Sequence, residues 1–241
     1  MKQVELSFVI PAYNEEDSIE CALGTLDEMV KDKQLPYEIV VVDDGSKDQT
    51  LLRALKYANR NGHVKVVSYT QNEGKGHAVK TGFMQTHGDV VVFADSDMDI
   101  DFTVISSYVD ALEHCDIVIA TKWHPDSKVD MSLSRRILSH SFNVLVRLLT
   151  GGVNLRDTQV GLKAMRKSAF VKIFPRLCVK RYAFDVELLA VACLYGLKVV
   201  EMPTKLCIRK PFRPKEVFKM FLDLLGIAYR LRIIHFYQRF R

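Results

Sequence analysis

Four short apolar runs punctuate the first hundred residues, at 6–10, 38–42, 64–68 and 90–93, each rich in β-branched side chains. The stretches between them, roughly 14–29, 48–61 and 75–87, read as helices. Strands separated by helices of this length predict an α/β fold, a mostly parallel sheet with both faces covered. Beyond residue 100, a strand is expected at 117–120 and another at 198–202. Helices are expected around 103–114, 133–149 and 183–195, and the charged loop 121–132, with Pro125, reads as a mobile lid. No linker rich in Gly, Ser or Pro divides the chain.

On such sheets ligands collect at the carboxyl ends of strands, where strand order reverses. Each early strand here runs into polar residues at that edge. Tyr13-Asn14-Glu15 follows the first strand, Asp43-Asp44-Gly45-Ser46 the second and Asn72-Glu73-Gly74-Lys75-Gly76 the third. The fourth leads into Asp95, Asp97, Asp99 and Asp101. Alternate side chains on an extended segment share a face, so these four carboxylates repel one another unless a cation sits among them. Mg²⁺ or Mn²⁺ is the simplest candidate, because hard divalent ions prefer carboxylate oxygen and also hold substrate phosphates; a solvated acidic loop is the competing reading. One of Asp43 and Asp44 serves either a nucleobase or ribose, or a turn cap. The Gly-Lys-Gly turn before a helix suits a phosphate or a base edge.

Charge is unevenly placed. The chain carries +5 overall, yet residues 205–241 hold ten Lys/Arg against Glu216 and Asp223, leaving 24 basic and 27 acidic residues in 1–204. A basic tail points to an anionic partner, whether phosphate, nucleic acid or lipid headgroups, or to a solvated helix. Five cysteines, widely spaced and without a C-x-x-C, suggest reduced thiols inside a cell. No apolar stretch reaches the roughly 20 residues that span a bilayer, and the N-terminus does not read as a signal peptide.

Pro11-Ala12-Tyr13-Asn14-Glu15, Val41-Val42-Asp43-Asp44-Gly45-Ser46 with Asp48 and Thr50, Gly74-Lys75-Gly76 and Asp95-Ser96-Asp97 together resemble the family 2 glycosyltransferases. The resemblance implies a GT-A, Rossmann-like fold. Within the family the chain looks most like the synthases that load a sugar onto dolichyl or polyprenyl phosphate. "DTQVGLKAM" (157–165) and "RYAFDVELL" (181–189) are similar to segments of the dolichyl-phosphate glucosyltransferases, with the mannose synthases as sister group. By that resemblance Pro11, Tyr13, Glu15, Val42, Asp44, Lys75, Asp95, Ser96 and Asp97 bind the nucleotide-sugar donor. Asp95, Asp97 and Asp99 hold the metal, although some relatives have glutamine where this chain has Asp99. Lys122, Arg135, Arg209 and Lys215 receive the acceptor phosphate. Asp97 and Arg135 act in catalysis with Asp157, which orients the acceptor, serves as a base or caps a turn. Asp101 lies beyond the motif and is expected to cap the helix after it.

A catalytic domain over 1–210 is expected, followed by a basic amphipathic, membrane-associating helix over 211–241. Around 217–240, Lys219, Asp223, Gly226 and Arg230 form one narrow polar line on an otherwise apolar cylinder, and 133–149 is likewise amphipathic. Such helices are either core or interfacial anchors. The expected activity is inverting, metal-dependent transfer of a hexose from UDP-glucose to a polyprenyl phosphate. GDP-mannose or a UDP-N-acetylhexosamine is the alternative donor. The protein is expected to sit peripherally on the cytoplasmic face of a membrane, without a transmembrane helix and without a nucleic-acid partner. A sugar nucleotidyltransferase lacks support, because no glycine- and arginine-rich loop opens the chain. A non-enzymatic basic membrane-binding module leaves the acidic strand ends without a role.

Overall fold

A computed structural model describes residues 5–31, 35–97, 99–151, 153–208 and 214–239. Its first half alternates β1 (Leu6–Ala12), α1 (Ile19–Lys31), β2 (Tyr37–Asp43), α2 (Thr50–Ala58), β3 (Val64–Ser68), α3 (Lys75–Phe83) and β4 (Val90–Ala94). These strands pair in parallel in the order β3-β2-β1-β4. Helices cover both faces, so β1 and β2 read as near-continuous apolar runs rather than as alternating ones. Ser7 is the polar exception inside β1, and it is satisfied: its hydroxyl donates to Glu38 at 2.6 Å and accepts from Gly88 N at 2.8 Å.

The second half adds α4 (Ile105–Ala111), β5 (Ile117–Thr121), β6 (Lys128–Asp130), α5 (Leu133–Thr150), β7 (Leu162–Arg166), α6 (Lys167–Ile173) and α7 (Phe184–Leu194). β8 (Val199–Pro203), β9 (Lys205–Cys207) and α8 (Pro214–Arg232) complete it. The sheet continues β4-β7-β5-β8, with β7 antiparallel to both of its neighbours. The sequence pattern does not predict β7. Its segment carries a lysine at the second position, and that Lys163 is buried because it pairs with Asp185 on α7 at 2.8 Å and donates to the Val160 carbonyl at 2.7 Å. The expected lid at 121–132 differs too. It contains β6, which pairs in parallel with β9, and Ser127 and Lys128 bond to Thr204. A three-residue strand among charges leaves no periodic signal.

α7 is buried from Phe184 to Ala192 and passes through the core, where its Asp185 and Glu187 are both paired. α8 buries Leu224 and Ile227 and packs on α5, so the C-terminal helix is part of the folded body. Among the described residues no helix is long and apolar enough to cross a membrane.

Candidate active site

The switch in strand order lies between β1 and β4. Their ladder ends at Val9–Phe93, two residues before Pro11, which has no N–H to continue it. β1 and β4 part beyond that point, and the Ser96 hydroxyl bridges the gap to the Pro11 carbonyl at 3.1 Å. A polar cavity of about 320 Å³ opens above the gap, lined in part by Pro11, Tyr13, Glu15, Asp44, Lys75, Asp95, Ser96 and Asp97. Eight of the nine expected donor residues therefore share one cavity. The ninth, Val42, lies fully buried in β2 and packs with Val40 and Ala78 beneath it.

Asp44 shapes this wall through hydrogen bonds rather than through a free carboxylate. It accepts from Asn72 Nδ2 at 2.9 Å, Glu73 N at 2.8 Å and Gly74 N at 2.9 Å. Those bonds fold the 72–74 turn, in which Gly74 adopts φ 101°, a conformation L side chains rarely take. The turn delivers Lys75 to the cavity floor. Its ammonium contacts Asp95 at 2.7 Å and Asp185 at 3.5 Å, while Asp185 also holds Lys163, so positive and negative groups alternate through the floor. Burial works against charge on each. For Lys75 it is outweighed by Asp185 and Asp95, which raise the ammonium above its usual range. Burial would raise Asp185, but Lys163 and Lys75 hold it low. Asp95 is pushed up, chiefly by burial and further by Asp97, against the pull of Lys75.

A second cavity of about 280 Å³ meets the first at Asp95 and Asp97. Its walls are mostly apolar, with Met131, Leu138, Phe142, Val217 and Met220 among them; Asp99, Lys122 and Arg135 also reach it. Asp157 is fully buried beside it, and both of its oxygens are engaged: Oδ2 with Lys122 Nζ at 2.7 Å and Lys122 N at 3.0 Å, Oδ1 with Gln159 N at 3.0 Å. That geometry makes Asp157 the holder of Lys122. Arg135 sits in the first turn of α5, whose N-cap Ser132 accepts from Arg135 N. Lys215 is exposed on the first turn of α8, outside both linings, and Arg209 lies outside the described residues. Asp101 caps the turn after it through Thr103 N at 2.9 Å.

The metal residues divide between the cavities. Asp95 and Asp97 stand on the shared wall, whereas Asp99 faces the apolar side. Among the described residues no cluster of three or more His, Cys, Asp or Glu is arranged to hold an ion. Mg²⁺ commonly needs only one or two carboxylates when substrate phosphates complete its shell, and Asp97 with Asp95 fits that pattern. Asn72, Arg181, Tyr182, Glu216 and Lys219 also line the polar cavity. Sequence reasoning gave them no role. Arg181 and Tyr182 did fall inside a family-like segment, and Lys219 within the polar line of α8, so a partial signal was present.

A model described as Glycosyl transferase family 2 matches residues 7–174. A dolichyl-phosphate beta-glucosyltransferase of Trichomonas vaginalis is 33% identical over 248 residues, covering 96% of this chain and 76% of that protein. The Homo sapiens dolichyl-phosphate beta-glucosyltransferase is 34% identical over 214 residues, and the match covers 82% of this chain and 66% of the human one. Among solved structures, glucosyl-3-phosphoglycerate synthase from Mycobacterium tuberculosis superposes with a TM-score of 0.74 at 21% identity, covering 95% of this chain and 80% of the other. The same enzyme has been crystallised with Mn²⁺ and UDP-glucose. At that identity the likeness establishes the fold, whereas the family rests on the sequence matches. With strand-end motifs, cavity and sequence in agreement, the chain is a glycosyltransferase and belongs to family 2.

Proposed function

We propose that the protein transfers glucose from UDP-glucose to the phosphate of a dolichyl or other polyprenyl lipid, with inversion at the anomeric carbon, while docked peripherally on a membrane. The observation that carries this reading is the pair of unlike cavities meeting at Asp95 and Asp97. The polar one suits a nucleotide diphosphate, with Lys75 at its floor. The apolar one suits an isoprenoid chain, with Lys122 and Arg135 in its lining to receive the lipid phosphate. The named activity of the Trichomonas and human relatives supports this sugar and this acceptor.

A lipid phosphate is ionised near neutral pH, so transfer requires positioning more than a base. A phosphate oxygen attacks the anomeric carbon from the face opposite the nucleotide. The bond from that carbon to the diphosphate breaks, and UDP leaves with the electron pair. Asp97 and Asp95 would hold Mg²⁺ or Mn²⁺, which when bound supplies positive charge to the leaving diphosphate. Lys122, fixed by Asp157, and Arg135 align the attacking phosphate.

α8 supports membrane docking. Two members of its polar line are tied to the protein body: Asp223 pairs with Arg181 at 2.6 Å, and Arg230 meets Glu187 at 3.4 Å. Phe218, Phe221, Leu222, Leu225 and Tyr229 are left exposed, and α5 beside it exposes Leu133 and Ile137. An apolar face left exposed beside a polar line that is paired to the protein body fits an interfacial helix. The test is incorporation of label from UDP-[¹⁴C]glucose into organic-extractable, acid-labile material with dolichyl phosphate and Mn²⁺, alongside GDP-mannose and UDP-N-acetylglucosamine. Label from UDP-glucose alone is expected. Transfer only to a water-soluble acceptor would overturn the reading.

A further inference from the structure

Glu187 is a fully buried carboxylate that the chemistry above does not use. It stands on α7 and draws four donors from two distant parts of the chain. Its Oε2 accepts from Cys178 N and Val179 N, both at 2.7 Å. Its Oε1 accepts from the Tyr237 hydroxyl at 2.5 Å and from Arg230 at 3.4 Å. Arg230 Nε also donates to the Tyr237 hydroxyl at 2.8 Å, which closes a triangle. A second tie runs parallel to this one, with Arg176 donating to the Tyr195 hydroxyl and Tyr195 to the Tyr237 carbonyl.

The segment pinned in this way, 178–182, forms part of the polar cavity. Arg181 and Tyr182 line it. The Lys180 carbonyl accepts from His77 N at 3.0 Å, and Lys180 pairs with Glu73 at 2.8 Å. A Cβ on Gly74 would lie 2.7 Å from the Lys180 carbonyl, and one on Gly76 would lie 2.8 Å from that of Val179. The 178–182 backbone is therefore seated directly on the turn that carries Lys75, with no room between them. Displacing Val179 or Lys180 displaces that turn.

We infer that Glu187, with Arg230 and Tyr237 supplied by the C-terminal segment, is a positioning residue for donor binding. It fixes segment 178–182 and, through it, Lys75 and the adjoining cavity wall. Arg230 and Tyr237 thus contribute to the donor site without lining it themselves. This inference rests on assigning the polar cavity to the nucleotide sugar.

Tyr237→Phe keeps the buried ring and deletes only the hydroxyl between Glu187 and Arg230. Its KM for UDP-glucose should rise about two- to tenfold, the range for one net hydrogen bond, while kcat and the KM for dolichyl phosphate stay within twofold. Glu187→Gln should shift the donor KM in the same direction. Ile173→Val, in the core on α6, serves as the stability control. With a comparable fall in Tm it should leave the donor KM unchanged. UDP-glucose titrated calorimetrically into the wild-type protein with Mn²⁺ tests the underlying assignment, and absence of binding there would sink that assignment first. If the wild type binds, an unchanged donor KM in Tyr237→Phe, or donor and acceptor constants rising together, overturns the positioning role.

Discussion

Gly161→Ala perturbs the floor of the polar cavity without replacing a charged residue. Gly161 immediately precedes β7, and its carbonyl accepts from Asp95 N at 3.1 Å. A Cβ at this position would fall 1.7 Å from Asp95 Oδ2 and 2.2 Å from Cγ. Normal van der Waals separation requires the carboxylate to retreat by about 1.5–2 Å, more than the 2.7 Å contact with Lys75 can absorb. Lys75 would then be held by Asp185 alone, at 3.5 Å. A charge-assisted hydrogen bond of this kind contributes about 1.5–3 kcal/mol, so donor affinity should fall by roughly ten- to a hundredfold. Calorimetric titration with UDP-glucose and Mn²⁺ reads that loss directly, and circular dichroism reports whether the fold survives. The alanine methyl also enters the wall of the apolar cavity, so the KM for dolichyl phosphate is measured separately. Asp95→Asn, which keeps the shape and removes the charge, should reproduce the donor defect. A folded Gly161→Ala protein with wild-type donor affinity would refute the argument.

Four further expectations concern metal, acceptor, membrane and pH. Asp97→Ala should abolish transfer while leaving Tm near that of wild type; full activity of this variant in EDTA would remove the case for a metal. Asp157→Asn should lower Tm and raise the acceptor KM without changing donor affinity, because a buried cation left unpaired costs about 3–5 kcal/mol. Adding Lys122→Met to it should restore Tm but not acceptor binding. Phe218→Glu with Ile137→Glu, at side chains 62% and 59% exposed, should abolish flotation with anionic vesicles, with Tm nearly unchanged. In Asp27, burial favours the neutral form, but bonds from Lys31 and Tyr37 outweigh it and lower the carboxyl. Its stabilisation is therefore present above pH ~4 and is lost as pH falls further through the lowered native value. Asp27→Asn should flatten the acid limb of a Tm–pH profile.

The four parallel strands and their helices were legible because each strand is a β-branched run ending in polar residues, and the edge they share is the edge that carries the site. The side chain of Val42, an expected donor residue, lies in the core, because β2 is buried on both faces and a motif does not record which side chains reach the cavity. β7 was missed because Lys163 interrupts its apolar pattern, and a partner on α7, distant in sequence, makes that lysine tolerable. Asp157 illustrates a different limit. Its residue type allowed a base, a cap or an orienting group, and only the geometry of Lys122 and Gln159 shows all its oxygens committed. For α8 the sequence places Lys219, Asp223, Gly226 and Arg230 on one line, but a helical wheel carries no information about which side meets the protein.

The antiparallel insertion of β7 also has a temporal side. β4 is complete at Ala94, yet the strand that covers its outer edge ends at Arg166, roughly 70 residues later. At ribosomal rates of about 5–20 residues per second, the nascent sheet waits about 4 to 14 seconds with a row of unpaired amides and carbonyls along an apolar strand, the type of edge that recruits foreign strands. During that interval Asp89 before the strand and the aspartates after Ala94 flank the open edge. The carboxylates that line the polar cavity of the folded protein thereby stand where gatekeepers against aggregation stand while the chain is still being made.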